Sequence, residues 1–144
     1  MKKDKTTEET QKVWKHHIEA WDARDLDEIM ADYSEDSILI LNNTVYKGIE
    51  AVRGVFERLF QIFSNGENII DPEVIEGEVI YITWHFTPTN DDTYFGTDSF
   101  VVQKSIIKYQ TIASLLYEKY PVGWKIQYLR KGSVCRVGRG KDYV

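Results

Sequence analysis

Apolar residues recur at helical spacing in three segments of the N-terminal half of the chain. The first segment predicts a helix that ends near Asp22, with an apolar face made of Val13, Trp14, His17, Ile18 and Trp21. Thr6 and Glu9 have the spacing of a capping box at its start, and Asp25 and Glu28 repeat that spacing before a second, short helix. The third segment predicts a helix that ends at Asn65-Gly66, with an apolar face made of Val52, Val55, Phe56, Leu59, Phe60 and Phe63.

The second half of the chain changes to short β-rich runs with turns between them. One strand is expected before the third helix, at residues 37–41, and the later runs predict strands at residues 73–76, 79–87, 94–103, 106–117 and 124–129. Helices followed by a strand meander are typical of the α+β class, in which the helices pack on one face of an antiparallel sheet. The sequence therefore predicts one α+β domain.

Composition narrows the kind of protein. With 144 residues, 42% hydrophobic and 28% charged, the chain has the make-up of an ordinary soluble domain. The charged N-terminus is not followed by an apolar segment, and no apolar run approaches the roughly 20 residues of a membrane helix. The single cysteine, Cys135, excludes an intramolecular disulfide. We therefore expect a cytoplasmic protein with no membrane partner.

The net charge of −5 argues against nucleic acid as a partner. This charge is unevenly distributed, since residues 1–117 carry 11 Lys and Arg against 21 Asp and Glu, whereas residues 118–144 carry 7 against 2. The body is therefore acidic and the C-terminal segment basic. We divide the chain into a domain at residues 6–117 and a basic tail with a further strand at residues 118–144.

Three motifs resemble the nuclear transport factor 2-like superfamily in its SnoaL-like branch, which is related to ketosteroid isomerase and polyketide cyclase. They are the first helical region with the strand that follows it (residues 17–39), the entry to the third helix (residues 46–53), and the segment 96–102 with Tyr109-Gln110-Thr111. The resemblance implies a cone-shaped, curved antiparallel sheet wrapped by three N-terminal helices. It also implies a pocket inside the cone and homodimers formed through the outer sheet face. Isomerases, cyclases, dehydratases and binding domains share this fold, so the fold alone does not give the function.

Two residues are candidates for catalysis. Strand alternation places Asp98 on one face with Phe100 and Val102, and its pKa should rise if that face is interior. The resemblance implies that Asp98 stands where an isomerase has its protonated oxyanion-hole Asp, and that His17 replaces the Tyr donor on helix one. His17 and Asp98 would then face each other, either as an acid/base dyad or as a pair that satisfies its own hydrogen bonds.

Leu41 replaces the general base of the isomerases in the same register. Because a Leu cannot abstract a proton, steroid isomerisation by that mechanism is not expected. The remaining pocket wall is expected to be aromatic and apolar with one amide, and comprises Trp14, Trp21, Tyr33, Leu41, Tyr46, Phe56, Phe60, Trp84, Phe86, Phe100, Gln110 and Ile112. Several of these residues must be ordinary core, since an aromatic set at these spacings is core more often than it is a cofactor site.

No cofactor or metal site is expected. Neighbouring residues on a helix point apart, so His16 and His17 cannot share a ligand, and we expect His16 to face solvent. A site made of His17, His85 and Asp98 would require His85, rather than Trp84, to face inward.

Three functions remain open. The first is binding of a small, largely apolar ligand that carries a carbonyl or hydroxyl group. The second is an isomerase, cyclase or dehydratase that uses Asp98 and His17. The third is a dimeric association module with a vestigial pocket, whose partner surface would be the outward strand residues Thr97, Ser99, Val101, Tyr109, Thr111 and Ala113.

Overall fold

The computed structural model describes residues 4–123. The elements follow in the order α1 (Lys5–Ala23), α2 (Leu26–Met30), β1 (Ile38–Leu41), β2 (Thr44–Lys47), α3 (Ile49–Phe63), β3 (Gly66–Ile70), β4 (Val74–Glu76), β5 (Val79–Pro88), β6 (Tyr94–Gln103), β7 (Ile106–Ser114) and α4 (Leu116–Lys119). The strand predicted at residues 124–129 lies outside the described residues.

The N-terminal helices begin at aspartate caps. The Asp4 carboxylate accepts a hydrogen bond from the Thr7 backbone N–H at 2.7 Å, so the N-cap of α1 is Asp4, two residues before the predicted cap at Thr6. At α2, the Asp25 carboxylate accepts from the Glu28 N–H at 3.2 Å, as the sequence predicts for this cap. The Glu28 side chain, however, hydrogen-bonds to His16 at 2.7 Å. This contact ties α2 to α1.

The strands form one curved sheet in the order β2-β1-β7-β6-β5-β3, and β4 also pairs with β5. The pairs are antiparallel except β1 with β7, which run parallel. β2 and β3 were not predicted from the sequence. The strand predicted at residues 106–117 continues to Tyr117, three residues beyond the end of β7. In the structure the chain leaves the sheet after Ser114, because the Ser114 hydroxyl accepts from the Leu116 N–H at 3.1 Å and starts α4.

The core lies between the helices and the inner face of the sheet. Alternate residues of β5 are buried on this face, namely Ile80, Ile82, Trp84 and Phe86. The apolar side of α3 packs against them through Val55, Phe56, Leu59 and Phe63. The opposite face of the sheet is partly exposed. Within residues 4–123, no helix is long and apolar enough to cross a membrane.

Candidate functional site

A small cavity lies inside the cone, between the helices and the inner face of the sheet. Its volume is about 50 Å³. Of the residues that the sequence predicted for a pocket or for catalysis, the wall contains Trp14, His17, Trp21, Phe56, Trp84, Asp98, Phe100, Gln110 and Ile112. Strand alternation and helical periodicity therefore selected much of the interior surface that encloses this space.

Five residues predicted for the pocket lie away from the cavity wall. Phe86 packs on Phe63, with ring centroids 4.5 Å apart, and Phe60 packs on Trp21 at 5.6 Å. Leu41 is buried in the core, where it pairs in register with Ile112. The sequence pattern identifies buried residues, but it does not show which of them border an empty space.

The other two residues that lie away from the cavity wall are Tyr33 and Tyr46. Each donates a hydrogen bond to another part of the chain. The Tyr46 hydroxyl donates to the Val122 carbonyl at 2.9 Å, and Tyr33 donates to Gln110 Oε1 from behind the cavity wall. Tyr33 therefore fixes the orientation of Gln110, whose Nε2 then points to Asp98.

Asp98 is the carboxylate of the cavity. Its Oδ1 accepts from Trp84 Nε1 at 2.8 Å and its Oδ2 accepts from Gln110 Nε2 at 3.0 Å. Asp98 is only half-buried by exposed area, but this area lies against the cavity and apolar groups surround the side chain. Burial raises its pKa to about 6, against the opposing effect of the two hydrogen bonds.

The geometry around Asp98 depends on a glycine. Gly96 pairs with Trp84 across β5 and β6, and a Cβ at this position would lie 2.1 Å from the indole ring. The indole therefore packs directly on the backbone of β6. This contact positions its N–H for Asp98, which lies two residue pairs further along β6.

His17 belongs to a chain of ionisable groups that leads away from Asp98. His17 Nδ1 lies 3.2 Å from Asp32 Oδ2, and His16 Nδ1 lies 2.8 Å from Asp32 Oδ1. His16 Nε2 continues to Glu28 Oε1, so His16 bridges two carboxylates rather than simply facing solvent. The hydrogen bond to Glu28, together with the charge of Asp32, raises the pKa of His16 despite partial burial.

This arrangement corrects the predicted dyad. His17 and Asp98 both border the cavity, but they are not hydrogen-bonded to each other within residues 4–123. His17 is bonded to Asp32, whereas Asp98 accepts from Trp84 and Gln110. Each group therefore has its own partners. The His17 ring also packs against aromatic neighbours, with centroids 5.5 Å from Phe100 and 5.9 Å from Phe56.

Three polar residues of the site were not predicted from the sequence. Asn68 and Tyr117 line the cavity, and Asp32 holds His17 from outside it. Asn68 lies on β3 and Tyr117 on α4, two elements that were not predicted. Asp32 follows Glu28 by four residues, which is about one helical turn. This spacing could have suggested that both side chains contact the first helix. The missed apolar wall residues are Ile18, Leu59, Phe63, Ile70 and Ile82.

His85 faces away from the cavity, because Trp84 occupies the inward position on β5. Its ring packs on Phe95 at 5.3 Å, and its Nδ1 lies 3.7 Å from Asp71 Oδ2. His85 thus lies on the opposite face of the sheet from Asp98 and His17, and the three residues do not form a site together. In the described part of the chain, His, Cys, Asp and Glu side chains form no group of three or more suited to a metal ion.

A larger, open groove of about 480 Å³ lies directly outside the cavity. The two spaces share the wall residues Trp14, Ile18, Trp21, Asn68 and Ile70. The groove is more polar at its outer side, where it is bordered by Asp22, Arg24, Asp71 and Glu73. The Arg24 guanidinium stacks on Trp21, with its carbon 4.3 Å from the ring centroid.

Comparison with known proteins places this architecture in a family. Residues 14–108 match the sequence profile of the SnoaL-like domain. The comparison with curated proteins finds no match. Among solved structures, a candidate SnoaL-like polyketide cyclase from Jannaschia sp. CCS1 is 14% identical with a TM-score of 0.69, and the alignment covers 83% of this chain and 94% of that one.

Two further structures show the same fold. An NTF2-like protein of unknown function from Mesorhizobium loti is 12% identical with a TM-score of 0.70, over 78% of this chain and 96% of that one. A candidate ketosteroid isomerase from Kribbella flavida DSM 17836 is 15% identical with a TM-score of 0.61, over 74% and 78% of the two chains. The chain therefore belongs to the SnoaL-like domain family.

Proposed function

We propose that this protein binds a small, largely apolar molecule whose polar group reaches Asp98. The observation that supports this most directly is a carboxylate on the wall of an otherwise largely apolar cavity. A charged group in such surroundings carries a desolvation cost, which is visible as the rise of its pKa to about 6. A ligand that hydrogen-bonds to the carboxylate would offset part of this cost.

The dimensions of the site restrict the ligand. The 50 Å³ cavity has room for about four water molecules at roughly 10–15 Å³ each, well below the ~300 Å³ of a typical small-molecule pocket. The adjoining groove adds about 480 Å³ of open space. We therefore propose that a short polar head enters the cavity and that an apolar body lies along Trp14 and Trp21 in the groove.

Binding can be tested by NMR titration with cyclohexanol and cyclohexanone, a matched pair of compact apolar probes. We expect shifts of the Trp84 indole N–H and the Gln110 side-chain amide, the two donors to Asp98. Ile82→Phe should weaken these shifts by filling the cavity, whereas His85→Ala, on the outer face of the same strand, should leave them unchanged. Identical shifts in wild type and Ile82→Phe would contradict the proposal.

A second candidate function is proton transfer on the bound molecule. A carboxylate with a pKa of about 6 in a site of low polarity is suited to act as a general base near neutral pH. In this proposal Asp98 removes a proton from a carbon next to a carbonyl, the electron pair of the C–H bond moves to the carbonyl oxygen to give an enolate, and the Asp98 carboxyl then returns a proton, or in D2O a deuteron, to the same carbon. Exchange of the α-protons of cyclohexanone in D2O, followed by NMR, would show turnover. The activity should disappear in Asp98→Asn, and exchange at the solvent rate in wild type would exclude this function.

We also propose that a second copy of this chain covers the outer sheet face, as the resemblance to dimeric family members implies. Large apolar side chains are exposed on this face, among them Phe95 at 54%, Tyr81 at 44% and Tyr109 at 42%. They lie on the neighbouring strands β5, β6 and β7. The dimer and the ligand site would then use opposite faces of one sheet.

A further inference from the structure

The hydrogen bonds around Asp32 determine which ring nitrogen of His17 carries the hydrogen. Asp32 is buried, with 8% of its side chain exposed, and both of its carboxylate oxygens face a histidine nitrogen. Its backbone carbonyl also accepts from the Ile107 N–H at 2.8 Å, which anchors the residue to β7. The carboxylate therefore has little freedom to turn away from either ring.

His16 contacts the same carboxylate from the other side. Its two ring nitrogens lie 2.8 Å from Asp32 and 2.7 Å from Glu28, so in the protonated form both N–H groups donate to carboxylates. The resulting positive charge on His16 stabilises the negative charge of Asp32. An ionised carboxylate can only accept hydrogen bonds.

The consequence for His17 follows from its contact with the same carboxylate. Because Asp32 accepts, the Nδ1 of His17 must carry the hydrogen, and neutral His17 then has only a lone pair on Nε2. Within residues 4–123 the structure gives Nε2 no hydrogen-bond partner. His17 therefore offers an acceptor, rather than a donor, to a molecule in the cavity.

Other polar groups of the cavity have the same character. The Asp98 carboxylate accepts, and the two donors next to it, the Trp84 indole and the Gln110 amide, are already bound to it. Asn68 lines the cavity with a buried Oδ1 that has no partner in the described part of the chain, but its amide group carries N–H donors as well, so Asn68 can serve either kind of ligand. The Tyr117 hydroxyl can donate or accept, so it does not discriminate.

We propose that Asp32 is a positioning residue that fixes His17 as a hydrogen-bond acceptor, so that the cavity selects molecules with an O–H or N–H group over carbonyl compounds of the same shape. This inference rests on the proposed binding function, because it names the chemical class of the polar head. It narrows that head from a carbonyl or hydroxyl to a hydroxyl or an amine.

The tautomer of His17 can be measured without any ligand, by 1H–15N correlation of the imidazole nitrogens at pH 8. Wild type should show the proton on Nδ1. In Asp32→Asn, the amide oxygen can still accept from His16 while the amide N–H donates to His17 Nδ1, so the proton should move to Nε2. Asp27→Asn is a matched control, because this exposed carboxylate on α2 contacts Arg53 and not a histidine. A wild-type spectrum with the proton on Nε2 would overturn the role of Asp32.

The ligand class is tested on wild type with two isosteric pairs, 2-propanol against acetone and cyclohexanol against cyclohexanone. One net hydrogen bond corresponds to about fivefold in affinity, so each alcohol should bind about fivefold more tightly than its ketone. Asp32→Asn should reverse the preference and Asp27→Asn should keep it. Equal affinities, or tighter binding of the ketones to wild type, would overturn the selection of donors.

These outcomes separate the two proposals. If no probe binds wild type, the binding function fails and the ligand class fails with it, whereas the tautomer measurement still tests Asp32. If the probes bind but do not discriminate, the binding function stands and the selection of donors fails. Because the wild-type spectrum and the wild-type affinities need no variant, a folding defect in Asp32→Asn cannot conceal either result.

Discussion

Among single residues, Asp98 links the cavity to the pH dependence of stability. Its pKa in the folded protein, about 6, is higher than the ordinary value of 3.8, so the folded chain binds this proton more tightly than the unfolded chain. Stability is therefore highest with Asp98 protonated and falls as pH rises through 6. A difference of about two pKa units corresponds to about 3 kcal/mol.

Denaturant unfolding of wild type and Asp98→Asn between pH 4 and pH 7 will measure this effect. The free energy of unfolding of the variant, taken relative to wild type, should increase by about 2.4 kcal/mol over this range, since Asn cannot ionise and Asp98 of the unfolded chain is already partly ionised at pH 4. The comparison cancels the contributions of the other titrating groups. Parallel curves would mean that Asp98 titrates at its ordinary pKa and that the cavity imposes no desolvation cost.

Gly96→Ala should disturb the site through Trp84. The added Cβ would lie 2.1 Å from the indole ring, so the ring must move away from β6 and lengthen its hydrogen bond to Asp98. Overpacking of this kind costs about 1–3 kcal/mol. The loss should appear in denaturant unfolding, together with a shifted indole N–H resonance. Thr97→Ala, the next residue on the same strand, should change the resonance little, and an unchanged resonance in Gly96→Ala would contradict the packing described here.

The limits of sequence reasoning are also visible in single residues. Asp98 and His17 could be selected because each is a polar residue in an apolar periodic pattern. Their partners could not, because Asp32 and Asn68 contact the site through tertiary contacts that span 15 residues or more. The predicted pairing of His17 with Asp98 failed for the same reason, since proximity within a cone does not reveal which nearer donor or acceptor each group will take.

Among the elements, α4 is tied to the turn between β5 and β6 by a charged residue, in addition to the burial of Leu116 and Tyr117. Asp91, in the β5–β6 turn, accepts from Lys119 Nζ and from the Tyr120 hydroxyl, each at 2.9 Å. These bonds, with that from the Asp92 N–H, lower the pKa of Asp91 to about 2. Its contribution to stability is therefore present above the ordinary value of 3.8 and is lost as pH falls toward 2.

Asp91→Asn should loosen the attachment of α4, because the amide retains the shape of the carboxyl group but loses the charge that faces Lys119. We expect a lower Tm at pH 7 and faster amide hydrogen exchange in residues 116–119. Asp92→Asn, in the same turn, is the matched control. At pH 2 the Tm values of wild type and Asp91→Asn should converge, and a constant difference across pH would show that the charge is unimportant.

The long elements with a clear period are among those that the sequence predicted. α1, α3, β5 and β6 each bury one face, so hydrophobic alternation marks them. β2 buries Tyr46 and β3 no residue fully, and both are defined by pairing with β1 and β5 rather than by their own pattern. α4 is a four-residue turn of helix, too short to interrupt the β-rich pattern that surrounds it.

For the whole molecule, the exposed outer face predicts assembly. Phe95→Glu places a charge on this face and should convert a dimer to a monomer, as measured by light scattering after size-exclusion chromatography. The cavity lies on the other face, so the variant should retain wild-type shifts with cyclohexanol. Glu67→Gln, at an exposed position on β3, should leave the mass unchanged. A wild type that is monomeric at high concentration would contradict the proposed dimer.

The parallel pairing of β1 with β7 has a consequence for how the chain folds during its synthesis on the ribosome. Ile38 pairs with Tyr109, so the β1–β2 hairpin, which ends at Lys47, waits while 62 further residues are made, about 3–12 s at roughly 5–20 residues per second. A lone hairpin is marginally stable in water. During this interval Leu39 and Leu41, buried in the finished fold, have no sheet to join. Limited proteolysis of arrested nascent chains should show residues 38–47 protected only after β7 has left the exit tunnel, and protection before that point would mean that the hairpin folds independently.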